Sequence, residues 1–161
     1  AGTADPKNIA AFLNQALVCE ALGRKKEATD AYNKVLSIDP DNALVLNNLA
    51  YMTADSGNAS SLDQALTYAE RAKKRAPDSP DVSDTLGFVY YKKDLNSEAL
   101  RIFRQLSTDH PQNTTFRLHL AMALAKSGDK QSARDEATKA MQSATTPEEK
   151  NRISSFLSSL G

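Results

Sequence analysis

The sequence predicts an all-α solenoid of helical hairpins, and three observations carry that prediction. The first is a repeat: Leu86-Gly87, Tyr90, Ala99, Phe103 and Pro111 mark one unit, and related residues recur at a period of about 34 on either side. The second is helical spacing within each unit. Leu86 and Tyr90 fall on one face of a first helix, and Ala99, Phe103 and Leu106 on one face of a second. The third is that Val, Ile and aromatic residues never alternate as in a half-buried strand, and turn dipeptides of the β-hairpin kind are missing. One such hairpin has more apolar surface than it can bury by itself, so it needs similar hairpins beside it.

Taken in order, residues 1–8 are small and polar with Pro6 and form a lead-in. Repeat 1, residues 9–42, carries Phe12, Ala16, Gly23, Ala28, Tyr32, Val35 and Pro40. Its first helix is predicted from about Asn8 to Leu22, stopped by Gly23, and its second from about Lys26 to Ile38. Repeat 2, residues 43–79, carries Leu46, Leu49-Ala50, Ala65, Ala69, Ala72 and Pro77, with extra residues assigned to a loop at about 56–61. Its helices are expected at about Ala43 to Asp55 and Leu62 to Ala76, the first capped by Asp39, Asp41 or Asn42. Repeat 3 is residues 80–113, with helices near Val82 to Lys93 and Ser97 to Ser107. Small Gly87 and Ala99 let its two backbones approach. Repeat 4, residues 114–147, carries Leu120-Ala121, Leu124, Gly128, Ala133, Ala137 and Ala140, with helices near Thr115 to Ser127 and Lys130 to Ser143. Residues 148–161 follow Thr146-Pro147, a compact helix start. They place Ile153, Phe156, Leu157 and Leu160 on one side, the pattern of a terminal capping helix.

At 161 residues the chain has the size of one domain. Lys+Arg and Asp+Glu balance at 20 each, so no global field favours nucleic acid or an anionic membrane. The lone Cys19 allows no intrachain disulfide and reads as a small buried apolar residue. No apolar run approaches a membrane span, so a soluble chain, cytoplasmic or periplasmic, is expected. The opening AGTADPKN has no initiator Met, so a fragment or processed product is expected, with any targeting segment upstream.

No catalytic or cofactor constellation stands out. His110 precedes a proline and His119 lies on a helix, neither with a partner at metal-ligand spacing, so no metal and no cofactor are expected. Walker, dinucleotide and nucleophile-elbow patterns are missing. Asp78, Asp81 and Asp84 have a sufficient explanation as helix-start acids, and Arg71 to Arg75 as a solvated basic face near a helix end. The expected chain is not an enzyme.

The spacing of Leu86-Gly87, Tyr90, Ala99, Phe103 and Pro111, repeated four times in register, resembles the tetratricopeptide repeat family over nearly the whole chain. The stretches LVLNNLAYMTAD and ALTYAERAKKRAPDSPDVSDTLGFVYYK are also similar to repeat regions of bacterial proteins of exopolysaccharide and protein-sorting systems. The family resemblance implies a right-handed superhelix whose first helices line a concave groove that binds a peptide or protein segment. Carried over column by column, it places Leu17, Tyr51, Phe88 and Met122 in one row, with Leu13, Asn47, Asp84 and Leu118 beside it. Asn48 and Tyr91 stand in the two flanking columns. Chaperone-type members clamp a C-terminal carboxylate on this face; Asn48 matches one such position, but no Lys or Arg occupies its neighbours. The implied function is a non-catalytic protein-interaction scaffold. The alternative is an architectural or self-associating segment, a homo-oligomer, within a larger bacterial assembly protein.

Overall fold

The computed structural model describes residues 6–161, with side chains from Asn8 onward, and contains helices joined by short turns with no strand among the described residues. In order these are α1 (Pro6–Ala21), α2 (Lys25–Ile38), α3 (Ala43–Ser56), α4 (Ala59–Arg75), α5 (Pro80–Lys92), α6 (Asn96–Asp109), α7 (Thr114–Lys126), α8 (Lys130–Ser143) and α9 (Pro147–Ser159). Every predicted helix is present. Most of the predicted lead-in lies outside the described residues, and α1 already begins at Pro6.

The chain divides into two units, one ending at Thr85 and the other running Leu86–Gly161, so the boundary falls within α5. In the first unit α1 packs on α2, α3 on α4, and α2 meets α3. Its core joins Ala16 and Cys19 of α1 to Ala28, Ala31, Tyr32 and Val35 of α2 and to Val45 and Leu49 of α3. The burial of Cys19 accords with its reading as a small apolar residue. Val82, in the first turn of α5, closes a smaller cluster with Leu46 and Ala72.

In the second unit α6 packs on α7, α7 on α8, and α9 covers both α7 and α8. Gly87 shows why a helix interior accepts its propensity cost of about 1 kcal/mol against Ala. A Cβ there would stand 2.7 Å from Phe103 Cε1 and 3.2 Å from Ile102 Cγ2, so only hydrogen lets α5 approach α6 this closely.

The helix starts follow the predicted grammar. Of the candidates before α3 it is Asn42 that caps, accepting from the Val45 N–H at 3.2 Å, while its own Nδ2 donates to Asp39. Asn58, Asn113 and Asp129 accept in the same way from Ser61, Phe116 and Ser132. Thr146 and Glu149 form a reciprocal capping box at the start of α9.

The extra residues of the second hairpin do not form the expected loop. Only Gly57 and Asn58 separate α3 from α4; α4 starts at Ala59 and has 17 residues against 14 in α2. Adding about one helical turn keeps every inserted backbone group hydrogen-bonded, which a longer loop does not. The corresponding turn of the third hairpin shows a second departure. Gly57 takes the left-handed conformation (φ 83°), and at the equivalent corner it is Asp94 that adopts φ 63°. Aspartate tolerates this conformation better than most side chains.

Candidate functional site

The sequence-derived positions separate into those that remain accessible and those the core has absorbed. In the first unit Leu17 is exposed on α1, and Leu13 leans on the core formed with α2 and α3. Asn47, Asn48 and Tyr51 are half-buried on α3. Asn47 Oδ1 is shielded from water and has no hydrogen-bond partner among the described residues. An unsatisfied, shielded amide oxygen costs stability.

Asn48 already has an internal role. Its Nδ2 donates to the Tyr32 hydroxyl, and that hydroxyl donates to Glu20 Oε2, both at 2.8 Å. The relay ties α3 to α2 and α2 back to α1. Burial, reinforced by the bond to Glu20, pushes the Tyr32 phenol well above its ordinary range, so it stays a neutral donor. Asp84, at 6% exposure, is buried at the end of this unit, so its expected place lining the groove is corrected.

In the second unit Phe88 is also corrected, from open groove floor to core, with 4% exposure. Its ring stacks on His119 at 5.3 Å, and His119 in turn meets Phe103 at 5.4 Å. His119 is thus a packed link between aromatic rings. Tyr91 stays half-buried, with the Lys126 ammonium 4.4 Å from its ring centroid and bonded to its carbonyl oxygen at 2.6 Å. Leu118, another predicted groove residue, is 5% exposed, and Met122 one turn on is half-buried.

Leu118 and Met122 are nevertheless brought together at an open depression of about 470 Å³ between α7 and α9. Its remaining walls, Asn151, Arg152, Ser155 and Phe156, come from the terminal helix. The sequence reading took α9 as a cap alone. The cap function belongs to Ile153, which is fully buried, and to Leu160. Phe156, one turn from Arg152 and three residues from Ile153, remains half-buried at the edge of the groove. The signal was the width of the apolar side of α9: four large side chains are more than sealing α8 requires.

The tetratricopeptide repeat profile matches residues 5–145, and the hairpins described above occupy that span. The chain belongs to the tetratricopeptide repeat family. A TPR repeat-containing protein of Pseudomonas aeruginosa is 32% identical over 79 residues, which is 49% of this chain and 13% of that protein. The chain therefore corresponds to a small part of that relative. Among solved structures, a thermophilic TPR protein of Thermus thermophilus aligns over 94% of this chain and 80% of its own, with a TM-score of 0.81 and 21% identity. MamA from Desulfovibrio magneticus RS-1 aligns over 85% of this chain and 76% of its own, with a TM-score of 0.70 and 18% identity. Both likenesses establish the fold, an all-α tetratricopeptide solenoid. No group of three or more His, Cys, Asp or Glu side chains placed to hold a metal occurs among the described residues. No described helix is long and apolar enough to cross a membrane.

Proposed function

We propose that the chain is a non-catalytic protein-interaction module that takes a peptide or protein segment on the side lined by the first helices of its hairpins. The observation that supports this most is the depression between α7 and α9, where Leu118, Met122 and Phe156 form an apolar floor beside Asn151, Arg152 and Ser155. Such a surface suits an apolar side chain with backbone groups held by the polar rim. In the first unit Leu17 offers accessible apolar surface. Binding at the depression rests on side-chain burial, so its affinity changes little with salt.

The test is a peptide selected from a random display library against the intact protein, then titrated against variants. Met122→Glu and Phe156→Ala are expected to weaken it by about 2 kcal/mol or more if they are anchors. Unchanged affinity in both would move the site away from α7 and α9.

A second reading, self-association, is favoured by the first hairpin, where Val18 of α1 and Leu22 in the turn after it are 58% and 64% exposed. Sedimentation over a hundredfold concentration range separates the two. A monomer throughout removes self-association, and a dimer that Val18→Asp dissolves supports it.

A further inference from the structure

A second depression, of about 540 Å³, lies on another side of α7, between α6 and α8. Its floor is Leu120 and Leu124, two positions along from Leu118 and Met122. At about 100° per residue, two positions turn the side chain to the far side of the helix. The depression is therefore separate from the groove assigned to peptide binding, and nothing in that assignment bears on it.

Its chemistry is cationic and hydroxylic. Arg104 comes from α6, Arg117 from α7 and Lys139 from α8, against the single carboxylate of Glu136, which leaves two positive charges on its walls. Glu136 does not cancel the set; it orients it. Arg117 Nη1 and Lys139 Nζ both hold Glu136, at 2.5 and 2.6 Å, and Arg117 Nε donates to the Pro111 carbonyl. The Arg117–Glu136 pair is about 15% exposed, which fixes the guanidinium in place. Arg104, in contrast, has no ion-pair partner among the described residues and is exposed at the rim. Asp129, at the start of α8, feels its charge without bonding to it.

Ser107, three residues along α6 from Arg104, supplies the independent sign of a missing ligand. It lines the depression at 6% exposure, and its hydroxyl has no hydrogen-bond partner among the described residues. Serine in a helix ordinarily bonds back to a preceding carbonyl, as Thr108 beside it does to Arg104. A buried hydroxyl without a partner costs free energy; the Ser107 Oγ is shielded beside the cationic depression, and a rotation of its side chain would bring it to an anionic oxygen seated there.

We propose that this depression binds a phosphate group, either free or as a monoester. A phosphate matches the net positive charge of the walls, Arg104 gives it a forked donor, and the hydroxyls of Ser107 and Ser132 complete the shell. The test is amide-resolved NMR titration of the intact protein at constant ionic strength with inorganic phosphate, with phosphoserine, and with acetate as the monoanionic comparison. Saturable shifts confined to α6, α7 and α8 are expected with at least one of the two phosphates. Inorganic phosphate alone would mark a free-ion site, and phosphoserine alone a site for a phosphorylated chain. Arg104→Gln, which breaks no internal pair, is expected to weaken binding about tenfold or more. Ser107→Ala is expected to weaken binding severalfold while leaving the phosphate-free melting temperature unchanged or higher, because it deletes an unsatisfied hydroxyl. Shifts that never saturate, that spread over all basic side chains, or that acetate reproduces would overturn the proposal. So would full affinity in Arg104→Gln.

Discussion

The first and last hairpins, α1–α2 and α7–α8, are built on the same plan and end differently. Both bury small residues where their helices meet: Ala16 and Ala28 in one, Ala121 and Ala137 in the other. Val18 of α1 and Leu22 in the turn after it are left in water. The outer side of α8 is closed by α9, which sets Ile153 against Ala137, Ala140 and Ala144. Inner packing is a property of the repeat; whether an outer face is wet or dry depends on what the chain places next to it.

The largest expected effect comes from removing that neighbour. Truncation after Thr146 should expose Ala137, Ala140 and Leu118 together and make the last hairpin resemble the first, with aggregation seen by light scattering. A soluble truncation of equal stability would show that α8 needs no cover. Next, Ile153→Ala should cost about 2–5 kcal/mol in chemical denaturation, since the side chain is fully buried in this seam. A loss below about 1 kcal/mol would mean that α9 is held mainly by its turn.

The start of α9 provides a smaller adjustment. Thr146→Ala should cost about 1 kcal/mol by removing the cap on the Glu149 N–H. Glu149 is held below the ordinary carboxylate range first by the Thr146 N–H and then by the Thr145 N–H. A lowered folded-state value means that this contribution is full above the unfolded glutamate range and is lost as pH falls through the lowered value. Protection factors of the amides in the first turn of α9, corrected for the intrinsic rate, should therefore fall in acid, and Glu149→Gln should flatten the response. The smallest effect belongs to the first hairpin. Val18→Ser with Leu22→Ser should change stability by less than about 0.5 kcal/mol, because both are already in water. A marked loss would reveal a partner on α1.

The architecture was readable from spacing because each hairpin repeats a local rule. Gly87 illustrates how far that reaches: its role in letting the two helices of the hairpin approach was visible in the repeat spacing, and the structure adds that Phe103 is what it meets. The candidate site was less legible. Column matching selected Leu118, Met122, Tyr91 and Phe88 as one class, but accessibility depends on neighbours several turns or a helix away. His119 covers Phe88, Lys126 lies over Tyr91, and α9 forms the second wall beside Met122.

By itself, then, the sequence determined the helices and their pairing, because propensity and the 3.6-residue period act between residues close in the chain. Tertiary structure alone decided three further matters: that the extra residues of the second hairpin lengthen α4, that Asp94 bears the left-handed corner, and that Ser107 is buried without a partner. The first two turn on how a corner satisfies its own backbone, which several spacings allow; the third is set by packing between segments distant in sequence, where one helix shields a group on another, and no local pattern records that.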